Sequence, residues 1–417
     1  MSNRNPPLAG LRIVESSILG PAAVTTALAD LGAEVIKVET PAGDYIREMT
    51  WPIIEGVSLM HYHLNRGKRS VTLDLKLEAA REVYRDLVKD AEVVIEASKP
   101  GALAKFGLGY DDLKRINPRI VFCTVSGYGM TGPYKDMPSH GIAYDTWAGV
   151  VIPAYDEEGF CYIPEHVGIG INAAPLFGGL AVLAAVMRAR QTGEGAFLDL
   201  AQSDAAAAFD WYRSESYMAY ARPEEVVTGN KADGYKRRPV ATAGMREGVR
   251  YQLYESSNGH VLFMASEQAF WKNFCAGVGR MDLFEKWPGS KYADHARGNR
   301  ELQAVLREIF RSRTSAEWIE FSKQANTPIA PVNTPKNLVD DLQFQARFKV
   351  MPHEGHGADM LGFPVRFIDE ELPETCRAPK VGEHNDEVLR QVLGYGPDKI
   401  ERLRREGALG NDDVYRT

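Results

Sequence analysis

Leu11-Arg-Ile-Val-Glu-Ser16, then Gly20-Pro21 opening a helical stretch to Leu31, then Gly32-Ala33 and Glu34-Val-Ile-Lys-Val-Glu39, reads as strand, helix, glycine turn and strand. A helix between two apolar runs forces a crossover, so the strands are parallel and the segment is a βαβ unit. The pattern recurs downstream. Ser70-Val-Thr-Leu-Asp-Leu75 is a strand, Leu77 to Lys89 an amphipathic helix, Glu92-Val-Val-Ile-Glu96 a strand, and Arg119 to Val125 another. Alternation of this kind predicts an α/β fold with a doubly wound, Rossmann-like parallel sheet, its ligands at the C-terminal ends of the strands.

After Ala196 the texture changes. Ser203 to Ala221 reads as one long helix rich in Ala and aromatics, and 222–247 as a polar, basic linker. Tyr251 to Ala265 alternates around Asn258-Gly259, a hairpin signal. Helical patterns at Glu267–Val278 and Asn299–Arg311 complete a small α+β domain. The expected organisation is a large domain over 1–221, a linker over 222–247, the small domain over 248–325, a second linker over 326–334, and a return to the large domain over 335–417.

Composition narrows the function. At 417 residues the chain can bury a large core and divide into domains. A net charge of −7 argues against a general nucleic-acid binder, which needs a basic face. The 4 cysteines are widely spaced with no C-x-x-C pair, so neither a zinc site nor a disulfide framework is expected, and no metal. The polar start and the lack of an unbroken apolar run of membrane-spanning length point to a soluble, cytoplasmic protein.

Several short motifs accumulate in order. They are Leu28-Ala-Asp-Leu-Gly-Ala-Glu-Val-Ile-Lys-Val-Glu39, Gly43-Asp44, Asn65-Arg-Gly-Lys-Arg69, Lys99-Pro-Gly101 and Gly107-Leu-Gly-Tyr110. Ser126-Gly-Tyr-Gly129, Thr131-Gly-Pro133, Thr192-Gly-Glu-Gly195 and Ala378-Pro-Lys-Val-Gly-Glu-His384 follow. Together they resemble class III (family III) CoA-transferases over nearly the whole chain. The resemblance implies coenzyme A or an acyl-CoA as substrate and a carboxylic acid as acceptor. It also implies an interlocked dimer, with each active site between the large domain of one chain and the small domain of the other.

Clustered Lys and Arg beside a Gly suit the phosphates of CoA, although a charge run is more often a solvated loop. The resemblance implies that Lys68, Arg69, Lys105, Phe106 and Tyr128 lie along the CoA channel, with Phe106 facing the adenine and Lys105 a phosphate. Ile18, Ala97 and Lys99 complete the expected binding set. Glu96-Ala-Ser-Lys-Pro-Gly101 departs from the family's usual Glu-Asn-Phe-Arg-Pro-Gly, which suggests weakened or altered CoA binding.

Family members attack the thioester with an Asp that lies twelve residues before the first Leu of a Leu-Ala-Ala motif. Counting back from Leu183 gives Ile171, in Gly168-Ile-Gly-Ile-Asn172. Covalent catalysis needs a carboxylate there, and Ile has no lone pair to offer. Asn172 is a poor nucleophile and Glu165 lies too far upstream, so the expectation is no catalytic residue in this chain. His140 resembles the catalytic His of the racemases in the same superfamily, where it would move an α-proton. Those enzymes also use an Asp where Ile171 stands, so a packed loop His is the preferred reading. Within the family the chain resembles the Asp-lacking subunit of benzylsuccinate CoA-transferases of anaerobic toluene breakdown. That resemblance implies a homologous Asp-bearing partner and a CoA donor such as succinyl-CoA. The alternatives are a self-sufficient isomerase using His140 and a CoA-binding protein without catalysis.

Overall fold

Six parallel strands carry the larger part of the chain: β1 (Arg12–Ser17), β2 (Glu34–Glu39), β3 (Lys68–Thr72), β4 (Val93–Ala97), β5 (Val121–Ser126) and β6 (Ala196–Ala201). They lie in the order β6-β5-β4-β1-β2-β3. The order reverses between β1 and β4, which is where a doubly wound sheet opens a crevice at its C-terminal edge. The structure is a computed structural model that describes residues 5–97, 101–231, 234–237, 245–290 and 294–410.

Side chains alternate across the sheet, as a period of two requires. Ile13, Val35 and Val93 enter the core on one face, with Val24 and Leu28 of α1 (Ala23–Asp30). Val14, Ile36 and Val94 enter the core on the other, with Val83 and Leu87 of α2 (Glu78–Lys89). After α3 (Gly141–Trp147), α4 (Ile169–Thr192) packs Val182, Ala185 and Val186 into the first of these cores. α4 has the length and apolarity of a membrane span, with a mean hydropathy of 1.9 over its most apolar window. Its Gly178, Val182, Ala185 and Val186 are buried, so one face is the buried face of a core helix.

The segment read as one helix from Ser203 to Ala221 is two, α5 (Gln202–Phe209) and α6 (Trp211–Tyr220). Asp210 leaves helical geometry at ψ 34°, which breaks the run. The chain divides into two compact units, one of Met1–Glu215 with Phe348–Thr417 and the other of Ser216–Arg347. In the smaller unit β7 (Tyr251–Glu255) and β8 (His260–Met264) form the antiparallel hairpin around Asn258-Gly259. Residues 326–334, expected as a linker, instead supply β9 (Ile329–Pro331), which pairs with β8 because Ile329 is buried in the aromatic core of that unit. That core gathers Trp271 and Phe274 of α7 (Gln268–Gly277), Phe310 of α8 (Arg300–Arg311) and Trp318 of α9 (Ser315–Ala325). The C-terminal segment returns Val388, Leu389 and, from α10 (Pro397–Arg405), Ile400 and Leu403 to the larger unit.

Candidate active site

A cavity of about 410 Å³ opens at the C-terminal ends of β1, β4 and β5. Ile18 follows β1 into it, Ala97 ends β4, and Val125 and Ser126 end β5. Tyr128, His140, Tyr144 and Ile171 line it from the following loops and helices. The switch point and the cavity coincide, as the topology demands.

Ile171 stands in the first turn of α4, and that turn is held tightly. Asp145 is fully buried, and its carboxylate accepts from the Ile169 amide at 3.1 Å and the Gly170 amide at 2.7 Å. A carboxylate there complements the helix dipole and occupies the orphan amides, so the helix N-terminus is already neutralised by the protein itself. A side chain at Gly170 would meet Tyr144 Cβ at 2.9 Å and the Gln202 carbonyl at 3.0 Å. The Ile171 side chain closes against Gly168 and Gly141, filling the seat between α3 and α4. Among the described residues that line the cavity, the only carboxylate is Asp136, exposed beside Lys135 at 3.8 Å. His166 Nε2 lies 3.6 Å from Asp145, outside that lining.

The sequence-derived binding residues separate into groups. Ile18, Ala97 and Tyr128 line the cavity together. Tyr128 is wedged edge-on against Tyr134, Tyr144 and Trp147, with ring centroids 5.7, 5.9 and 6.5 Å away. Lys99 lies outside the described residues. Lys105 is exposed on a short turn and Phe106 packs half-buried onto the sheet core, and neither lines the cavity.

Lys68 requires a correction. It is buried, and its ammonium donates to Glu15 at 2.9 Å, the Ala22 carbonyl at 2.8 Å and Asn65 at 3.3 Å. With three donors engaged inside the fold, it has none for a phosphate. Burial pushes it down to about 8, against the pull of Glu15. Arg69, on the edge strand, pairs with Glu34 at 3.1 Å and Glu387 at 3.5 Å. Arg66 forks onto Asp30 at 3.0 and 2.7 Å, and Gly67, at φ 72°, leaves no room for a side chain against Thr375. Arg66 and Lys68 are thus held inside the fold, while Arg69 stays at its surface.

Beside it, burial alone would raise Glu15, but Lys68 and Lys37 outweigh it and hold the carboxyl below its usual range. Lys37 also reaches Asp44 at 3.2 Å and the Ser17 carbonyl at 2.6 Å. Asp44 in turn accepts from the Leu19 amide at 3.3 Å, and Leu19 lines the cavity. Leu19 sits at φ 58°, ψ −144°, a shape that costs a side-chain-bearing residue about 1–3 kcal/mol. Leu19, Tyr144 and Gln202 were not singled out by sequence. The Leu19-Gly20-Pro21 turn directly after β1 was the signal that could have found the first.

The model of "CoA-transferase family III" matches residues 8–385. The chain belongs to that family. A succinyl-CoA–L-malate CoA-transferase beta subunit of Chloroflexus aurantiacus is 28% identical over 97% of this chain and 98% of its own length. A probable fatty acyl-CoA transferase of Mycobacterium tuberculosis is 30% identical over 92% of this chain and 98% of its own. The crystal structure of a CAIB/BAIF family protein from Brucella suis superposes with a TM-score of 0.73 at 29% identity, covering 94% of this chain and 100% of that one. CoA thioesters are the substrates of such transferases, and no cluster of metal-ligating side chains occurs among the described residues.

Proposed function

We propose that this family III chain holds a CoA thioester in the cavity at the β1/β4 switch point but does not carry out acyl transfer alone. The observation that carries this is Ile171, an aliphatic side chain in the first turn of α4 and in the cavity lining. In the mechanism implied by the family resemblance, a carboxylate attacks the thioester carbonyl and expels CoA thiolate, giving a mixed anhydride. The thiolate returns to the enzyme carbonyl, releasing the donor acid and leaving an enzyme–CoA thioester. The acceptor carboxylate then expels the thiolate, which attacks the new mixed anhydride at the acceptor's carbonyl to give acceptor-CoA and the free enzyme carboxylate. The energy of the thioester has to be stored on a nucleophile between the two halves, and an alkyl group stores nothing.

On this reading the chain is one subunit of a heteromeric transferase, completed in the cytoplasm by a homologous Asp-bearing chain. The relative from Chloroflexus, named as a beta subunit, supports that reading. So does the outer face of α4, where Leu176, Leu180 and Met187 stand 65%, 68% and 65% exposed in the single chain. An interlocked dimer in which partner chains complete each other's sites would cover such a surface. Succinyl-CoA is the preferred donor, in keeping with the names of several relatives, and benzylsuccinate the proposed acceptor. Assay of the purified chain with succinyl-CoA and candidate acids, with and without an Asp-bearing homologue, tests this. The expected result is turnover only in the mixture, and robust turnover by the chain alone overturns it.

His140 favours a second reading, because it lines the same cavity as Ile171. As a general base it would exchange the α-proton of a bound acyl-CoA with solvent. Deuterium uptake from D₂O into 2-methylacyl-CoA, lost in His140→Ala, would support it.

A further inference from the structure

Among the described residues that line the cavity, Leu19 is the only non-glycine residue with a left-handed φ, 58°. At φ 58° and ψ −144° the backbone is in a region that glycine alone enters freely, so the surroundings have to impose it on a leucine. They do so through Asp44. One carboxylate oxygen accepts from Ile46 N at 3.0 Å, and the other faces both Leu19 N at 3.3 Å and Lys37 Nζ at 3.2 Å. Lys37 is fixed in turn by Glu15 and the Ser17 carbonyl, so a buried chain of charge runs from β1 and β2 to one backbone amide at the cavity. The neighbouring Gly20 could adopt the same shape without cost, yet the chain places it on Leu19.

We propose that Asp44 is a positioning residue for acyl-CoA binding: anchored by Lys37, it holds the Leu19 amide and fixes the Ile18–Pro21 turn as a pre-formed wall of the cavity. A wall that is already rigid loses less freedom when the ligand arrives. The proposal rests on the CoA reading above and goes beyond it in naming what shapes the site.

The test is a double-mutant cycle read by calorimetric titration of the full chain with succinyl-CoA and with CoA. Asp44→Ala is expected to weaken binding about tenfold, because the strained turn relaxes. In a Leu19→Gly background the same substitution is expected to cost less than threefold, since glycine takes the shape unaided. Asp44→Asn, which keeps an oxygen for the amide, should lose less than Asp44→Ala. Equal losses from Asp44→Ala in both backgrounds would make the residue merely structural and overturn the proposal. If Asp44→Ala does not fold, Leu19→Val raises the strain from the other side, and unweakened binding by that variant overturns the proposal as well. Absence of binding by the unaltered chain refutes the CoA reading and the proposal together. Binding by the unaltered chain with no effect of Asp44→Ala refutes the positioning role alone.

Discussion

Asn65–Arg69 and Gly168–Asn172 have opposite characters. The first is the most basic short segment among the family motifs, and it turns Asn65, Arg66 and Lys68 inward. The second contributes Ile171, an aliphatic side chain, to the cavity lining. Charge density along a chain does not say which way the charges face. Strand β3 alternates, so its Lys68 points into the fold while Arg69 points out to Glu34 and Glu387. The cavity, by contrast, is lined by Ile18, Leu19, Tyr128, Tyr144 and Ile171 among smaller residues, with Asp145 holding the end of α4.

The largest effect that could break this contrast is at Lys68. Replacing it with Met leaves Glu15 with Lys37 and the Ser17 and Thr25 hydroxyls but without its second ammonium, so denaturant melts should show a loss of about 3–5 kcal/mol. Arg69→Ala, at a half-exposed pair, should cost less than about 1 kcal/mol. Were Lys68 a ligand contact after all, stability would hold and CoA affinity would fall instead.

Acidification sharpens the same comparison. His61 donates from Nε2 to the Pro379 carbonyl and accepts at Nδ1 from Asn65, each within 3.1 Å, and burial pushes it down to about 3. The folded pKa lies below the unfolded one, so the unfolded chain binds the extra proton between pH 6.5 and about 3, and stability falls as pH drops through that window. Crossing it fully costs on the order of 5 kcal/mol. Glu39, lowered to about 2 as Arg47 outweighs its burial, adds a loss of the same sign below pH 4.5. His61→Gln should reduce the slope of stability between pH 6.5 and 5, measured by urea titration at each pH, and leave in place both the loss from His63, which burial pushes down to about 4, and the Glu39 loss.

In the second segment, Gly170→Ala should cost about 1–3 kcal/mol, because the added methyl has only Tyr144 Cβ and the Gln202 carbonyl to push against. Thermal melts would show it. Ile171→Val should cost least, about 1 kcal/mol or below, since the side chain is half-buried.

The parallel sheet was legible because Ile13, Val14, Val35 and Ile36 sit in a strand–turn–helix rhythm that only a crossover satisfies. The cavity followed from it; Ile18, Ala97 and Tyr128, expected from the family resemblance, line it because they end or follow β1, β4 and β5. The burial of Lys68 was not legible because it is set by Glu15 of β1, the Ala22 carbonyl and Asn65, contacts that no local pattern records. The break at Asp210 and the pairing of Ile329 escaped for the same reason: both are set by tertiary packing. Leu19 escaped because nothing in a leucine announces an unusual backbone shape.

The central claim is that the chain binds a CoA thioester without becoming acylated or carrying CoA covalently. Intact-mass measurement after incubation with succinyl-CoA, beside a titration that establishes binding, tests it most directly. Bound succinyl-CoA and an unmodified chain mass are the expected result. A stoichiometric CoA thioester on the protein, mapped to Asp136, Glu165 or any other carboxylate, would contradict it.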